Sequence, residues 1–382
     1  MVLYGHLDKQ PPMEGWRPGL GPWEPVLEGD RLYGRGAADD GYSMFAALTA
    51  LEAVQAAGGG HARCVLLIEA SEESGSPDLP AHLAHLEDRL GSVDLVICLD
   101  SGAATYDRLW LTTSLRGVAN LTVRVDVLTE GVHSGAAGGV VPSSFRILRL
   151  LLDRIEDAVT GELRVPECLV VIPEQRRAEA EATGSLLNDG LQAVFPFAPG
   201  VRALGESPAE QLLNRTWRPA LEVIAADGLP RIGEGGNVAR PFTALQLSLR
   251  LPPTVDVSAA IEAVRERLTD QPAPHGAPVQ VDVQAAMQGW NAPATEPWLG
   301  AALDRASKTA FDQPARATGE GGSIPFMAML GERFPKAQFV VTGVLGPGSN
   351  AHGPNEFLQV DYARRLTEAL AILLDEHASN RA

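Results

Sequence analysis

Two histidines and three carboxylates able to hold a metal fall in five short motifs spread along the chain. These are Gly5-His6-Leu7-Asp8, Gly36-Ala37-Ala38-Asp39-Asp40-Gly41, Glu72-Glu73-Ser74-Gly75-Ser76, Leu99-Asp100-Ser101-Gly102 and Asn350-Ala351-His352-Gly353-Pro354-Asn355-Glu356. Each metal-capable side chain follows a run that reads as a strand, or stands in the loop after one. Ligands bind beyond the carboxyl ends of strands in open α/β sheets, so placement weighs more than any single residue. His6, Asp39, Glu73, Asp100 and His352 together suit two zinc-like ions sharing one bridging carboxylate; a single ion would leave ligands over. Each residue alone has a plainer reading: a strand-end acid, a charged loop at Glu72-Glu73, an N-cap or turn at Asp39-Asp40 and at Asp100. Five such coincidences are a poorer account than one dinuclear site.

The elements around these motifs predict an α/β fold. Strand-like runs at residues 2–4, 63–68, 94–99 and 338–342, with helical patterns at about 43–56, 297–311 and 360–377, read as a mostly parallel sheet flanked by helices. Between the halves the texture changes. Residues 121–127 alternate, 143–158 are amphipathic, and 245–251, 257–268 and 279–284 read as strand, helix, strand. The pattern predicts a catalytic domain in two parts, 1–114 and 289–382, with an inserted α+β lid and dimerisation domain at 115–288. Residues 173–214 are acidic and punctuated by Gly and Pro, and read as lid or loop with helical pieces.

Bulk properties narrow the partners. A net charge of −17 over 382 residues opposes nucleic-acid or anionic-membrane binding, which needs clustered Lys and Arg. Small molecules are the expected partners. Cys64, Cys98 and Cys168 are odd in number and widely spaced, as free thiols in a reducing compartment would be. No apolar stretch reaches the roughly 18 to 20 residues of a membrane span, and a basic-then-apolar leader is missing from the start of the sequence, so a cytoplasmic location is expected.

In order and spacing the motifs resemble the metallopeptidase family that contains carnosinase-type dipeptidases, glutamate carboxypeptidase, aminoacylase and succinyl-diaminopimelate desuccinylase, and the likeness runs through almost the whole chain. The resemblance implies that His6 and Asp100 hold one ion, Glu73 and His352 the other, and Asp39 bridges them across a cis Asp39–Asp40 peptide. The two ions would be zinc, with manganese or cobalt as substitutes. Asp8 would fix the His6 tautomer from behind. Glu72 matches the general base that activates a metal-bound water; Glu73 has its lone pairs committed to metal, so the neighbour stays free to move a proton. His133, in Gly131-Val132-His133-Ser134-Gly135, would reach the scissile carbonyl from a partner subunit of a homodimer and stabilise the oxyanion. Arg250, in Ser248-Leu249-Arg250-Leu251-Pro252, and the backbone N–H groups of Gly321, Gly322 and Ser323 at a helix start would bind a substrate carboxylate. Asn237 resembles a lid residue near substrate. His61, His82, His85, His275 and His377 match no motif and read as surface or packing residues.

The sequence departs from the family at three places. Members carry an α/β segment before the Gly-His-x-Asp strand, whereas this chain begins almost on it, through a late start or a truncation that would expose an apolar sheet edge. Many dipeptidases carry Arg where Gly319 stands and Lys where Gly41 stands. Both changes face the substrate, so the expected activity, amide hydrolysis of dipeptides or small C-terminal-carboxylate peptides, has a rival: deacylation of N-acyl amino acids at the same metal site. A non-catalytic dimeric binding protein on a decayed scaffold is the reading from another class.

Overall fold

The first strand, Val2–His6, is buried at all five positions, and so is Leu95–Cys98 at all four. Such continuously apolar runs belong in a parallel sheet covered on both faces. In the computed structural model, which describes residues 1–381, they form the middle of a four-stranded sheet in the order Gln338–Val341, Leu95–Cys98, Val2–His6, Val65–Glu69, with every pairing parallel. Side chains alternate across it. Leu3 and Ile97 join a core with helices Ser43–Ala56, Pro297–Phe311 and Val360–Arg381; Val2, Tyr4, Val96 and Cys98 join another with Leu79–His85 and Pro325–Arg333. Because the strands are parallel, the residues that follow Val2–His6, Val65–Glu69 and Leu95–Cys98 emerge at one edge, and that edge receives Asp8, Glu72, Glu73 and Asp100.

Two smaller sheets complete this half. Trp110–Leu115 lies between Trp290–Asn291 and Arg316–Glu320, while Arg31–Tyr33 lies between Phe357–Gln359 and Val26–Glu28. The second ties the loop bearing Asp39 to the chain just beyond His352.

The inserted unit is an antiparallel sheet in the order Val279–Met287, Gly117–Asp126, Phe242–Leu251, Ala220–Asp227. Its two central strands alternate buried and half-buried residues, as a sheet covered on one face should. Helices Ser144–Leu152 and Val257–Thr269 supply the cover. Ser143 and Asp256 cap them, accepting from the N–H groups of Arg146 at 3.3 Å and Ala259 at 3.0 Å. The amphipathic stretch expected to run to residue 158 stops as a helix at Leu152. There the Asp157 carboxylate accepts from the N–H groups of Val159 and Thr160 and bends the chain into a turn instead.

Residues 173–214 are more ordered than a loop: they form helices Glu174–Leu187 and Gly190–Ala193 and most of Pro208–Thr216. These pack on the strand Arg316–Glu320 rather than over the antiparallel sheet. Thr183 Oγ1 donates to Ala317 O at 2.9 Å, and Arg176 donates to Asn291 Oδ1 at 3.0 Å and to Ala292 O at 2.9 Å. The buried face of the longest helix is Arg176, Ala180, Thr183 and Gly184, so little apolar periodicity marks it. Gly184 is needed for contact, since a Cβ there would lie 2.7 Å from Ala209 N. Among the described residues no helix is long and apolar enough to cross a membrane.

Candidate metal centre

His6 closes its strand with a fully buried side chain whose Nε2 lies 3.2 Å from Asp39 Oδ1 and 3.8 Å from Asp100 Oδ1. His352, on a loop, places Nε2 3.0 Å from Asp39 Oδ2 and 3.4 Å from Glu73 Oε2. The ligand atoms of each triad, His6/Asp39/Asp100 and Asp39/Glu73/His352, lie within 4.8 Å of one another. Asp39 belongs to both triads through different oxygens, as a bridging carboxylate must. The Asp39–Asp40 peptide is cis. All five side chains singled out as ligands therefore converge.

The cage is built by its neighbours. His6 Nδ1 lies 3.2 Å from Asp8 O and 3.4 Å from Asp8 Oδ1, which leaves Nε2 to face the cage. The same Asp8 carboxylate accepts from Glu72 N at 3.2 Å and Glu73 N at 2.9 Å, so it holds both the imidazole and the turn that carries the base and a ligand. Gln10 Nε2 donates to Glu73 Oε2 at 2.5 Å.

Glu356, quoted above only as the end of a motif, proves central. Fully buried, it accepts from the N–H groups of Gly36 at 2.9 Å, Ala38 at 3.1 Å and Asp39 at 3.2 Å, and pairs with Arg35 at 2.8 Å. Arg35 also donates to Gly353 O at 2.7 Å, beside His352. One buried ion pair thus fastens the Asp39 loop to the His352 loop. Lys9 crosses the same loop over Gly36 and Gly41. A Cβ on Gly36 would sit 1.8 Å from Lys9 Cδ, and one on Gly41 would sit 3.3 Å from Lys9 Nζ. The ammonium missing from position 41 is therefore present beside it, supplied by another residue.

Asp39, Asp40, Glu72, Glu73 and Asp100 crowd this edge and compete for protons. Burial, and next Asp40, raise Asp100 well above the usual carboxylate range. Burial also opposes ionisation of Asp39, yet hydrogen bonds from His352 and His6 hold it well below that range. His6 is pushed up to about 10, because Asp39 and Asp100 outweigh the burial of its charge. Burial takes Glu72 up to about 7, with His6 pulling down and Glu73 and Asp39 adding to the rise. Glu73 Oε1 is buried without a hydrogen-bond partner. Imidazole and carboxylate donors in these numbers, sharing scarce protons, fit a pair of divalent cations.

The remaining expected site residues lie elsewhere. His133 is exposed on the short strand Val132–His133, accepts from Gly135 N at 3.1 Å, and is absent from both ligand triads. Asn237 is its neighbour: Ser134 N donates to Asn237 O at 2.8 Å. Arg250 ends near Ser323, with Nη1 3.5 Å from its Oγ, so those two expected partners do meet. Arg116, which no motif marked, orders the loop: Nε donates to Gly321 O at 3.1 Å and Ser323 Oγ donates to Arg116 O at 2.5 Å. Gly319 could not carry the family's arginine here, since its Cβ would lie 2.5 Å from Ser114 Oγ and 2.8 Å from Thr216 Cβ.

Two triads able to hold divalent cations at the carboxyl edge of a parallel sheet, with Glu72 in neither, point to the class of metal-dependent hydrolases. The chain belongs to Peptidase family M20/M25/M40, whose description it matches over residues 2–376. It is 30% identical over 365 residues to a cysteinylglycine-S-conjugate dipeptidase of Corynebacterium striatum, covering 93% of this chain and 76% of that one. It is 26% identical over 372 residues to a β-Ala-His dipeptidase of Homo sapiens, covering 93% and 70%. Its fold is that of human carnosine dipeptidase 1, with TM-score 0.71, 24% identity and coverage of 99% and 80%. An M20 family metallo-carboxypeptidase from Sulfolobus solfataricus shares it too, with TM-score 0.80, 19% identity and coverage of 98% and 85%. The α/β fold and the metallopeptidase reading of the motifs are borne out.

Proposed function

We propose that this peptidase hydrolyses dipeptides bearing a free C-terminal carboxylate, with Glu72 as general base and acid. The observation that carries the reading is the pair of triads sharing Asp39, with a Glu72 carboxyl that belongs to neither and feels the charges of His6, Glu73 and Asp39. Bound at these triads, paired zinc ions would supply Lewis-acid polarisation of the scissile carbonyl and activation of water. A carboxyl group raised to about 7 is matched to proton transfer near neutral pH: Glu72 takes a proton from the attacking water and delivers it to the leaving amine. Asp8 keeps the base in place through its two backbone N–H bonds.

Arg250 and the N–H groups of Gly321, Gly322 and Ser323 bind the substrate carboxylate. The inserted domain, residues 115–288, serves as lid and dimer contact. The partner subunit's His133 then completes the site, which accords with its exposure and its absence from both ligand triads. The location is the cytoplasm, where three unpaired cysteines are stable.

Glu72→Gln tests the mechanism: metal content by elemental analysis stays at the wild-type value while turnover falls about 100-fold or more. Retained turnover removes Glu72 as the base. Rates on a dipeptide panel and an N-acetyl-amino-acid panel separate peptidase from deacylase, and cleavage of the second alone overturns the dipeptidase reading.

A further inference from the structure

Beyond the metal cage, an acidic chain gathers arginines around one short loop. Arg116 is 9% exposed and touches carbonyl oxygens only, those of Gly321 at 3.1 Å, Asn214 at 3.5 Å and Arg218 at 3.4 Å. Its guanidinium also lies close to where a Cβ of Gly321 would be, 3.2 Å from Nη2, and Arg215 Cγ is 3.1 Å from the same point. Arg250 reaches the loop from the inserted sheet at Ser323. Burial, then Arg250 and Arg215, bring the pKa of Arg116 down to about 10, in keeping with its closeness to both. Among the described residues neither Arg116 nor Arg250 has a carboxylate partner. Glu320 is the single acid in the group, 3.2 Å from Arg215 Nη2.

The layout has a direction. Glu320 Oε1 lies 2.8 Å from where a Cβ of Gly102 would be, two residues past the ligand Asp100. Glu320 therefore stands between the metal edge and the arginines, and its other oxygen aims Arg215. Three guanidiniums against one carboxylate leave two positive charges, more than a single substrate carboxylate neutralises. Arg116 is spent on backbone carbonyls, while Arg250 and Arg215 each keep donors to spare. Arg215 reaches this position because Gly319 admits Thr216, letting the helix Pro208–Thr216 lie against Arg316–Glu320.

We propose that Arg215 is a specificity-determining residue that binds a second carboxylate, on the side chain of the substrate's C-terminal residue, so that the preferred dipeptides end in an acidic amino acid. This rests on the assignment of residues 321–323 and Arg250 to the terminal carboxylate. Arg250 and the loop take the α-carboxylate, and Arg215, steadied by Glu320, takes the side-chain acid with charge-assisted hydrogen bonds.

Calorimetric titration of the metal-loaded full chain with free L-glutamate and L-glutamine, set beside kcat/KM for Ala-Glu and Ala-Gln, tests the proposal. Wild type favours the acid about ten-fold in both measurements, as one charge-assisted contact allows. Arg215→Ala brings both ratios to about one, Arg215→Lys keeps part of the preference, and Arg218→Ala, an arginine on the same segment paired with Glu210, keeps all of it. A wild-type ratio near one, no measurable glutamate binding, or a preference that survives Arg215→Ala overturns the proposal. If the binding ratio behaves as stated but neither dipeptide is cleaved, the acid-binding site stands and the dipeptidase reading falls. Arg215 is 41% exposed at its side chain, so its replacement leaves the fold intact.

Discussion

The two triads of the candidate metal centre are built by opposite means. His6 and Asp100 stand at the ends of central strands, buried to 0% and 8% exposure, and the sheet itself sets their separation. His352 and Glu73 ride on a loop and a short turn, and the His352 side chain is 59% exposed with its backbone at φ +64°. The first position inherits precision from hydrogen-bonded strands. The second borrows it through side chains: the Asp8 bonds to the Glu72–Glu73 turn, Gln10 on Glu73, and the Arg35–Glu356 pair behind His352. A scaffold can thus place one cation by secondary structure and another by tertiary contacts alone, and the second should be the more sensitive to substitution away from the ligands.

The largest effect should come from Glu356→Ala, which strands the Arg35 charge and three N–H groups in the interior. Loss of a buried partner costs about 3–5 kcal/mol, so chemical denaturation should show a shift of that order together with loss of the second cation. An unchanged midpoint with two metals bound would mean that the loops hold themselves. Next, His6→Ala should lower the stability of the metal-free protein by on the order of 2 kcal/mol, because the buried, ionised Asp39 loses the hydrogen bond and counter-charge of His6. His352→Ala should cost less than that, since its ring is 59% exposed and water can replace part of its hydrogen bond to Asp39. Elemental analysis of the second variant should give one ion per chain. Equal destabilisation by the two histidine variants would erase the contrast.

The smallest effect concerns protons. With His6 held up to about 10, it is protonated at neutral pH in the metal-free chain, and a cation must displace that proton. Metal affinity should therefore rise with pH up to that value. Calorimetry in buffers of different ionisation enthalpy should show proton release on loading, and a heat independent of buffer would contradict it.

The ligands were legible because chemistry fixes their residue types and each sits in a compact motif. Helices Ser43–Ala56 and Pro297–Phe311 were legible to the residue, since runs of helix-forming residues end at the turns that bound them. The supporting residues were not. Glu356 bonds to Gly36 N across 320 positions of sequence and Arg116 to Gly321 O across 205, and no local pattern encodes such a meeting. The sheet around Trp110–Leu115 escaped notice for a related reason: Arg316–Glu320 is neither apolar nor alternating, and becomes a strand through its neighbours. The helices within 173–214 bury Arg and Thr in place of Leu, which hides their period.

Asp39 and Glu73 lie far along the sequence from His352, so a cation bound at their triad would latch two distant stretches of the chain together. The second triad cannot assemble until His352 has been synthesised, and a folded chain that gave up bound ions would lose the linkage energy they supply, RT ln(1 + [L]/Kd) for each. Chelators should thus convert a durable protein into one that proteases open first at the 350–356 loop, and readdition of metal should restore resistance before it restores anything else.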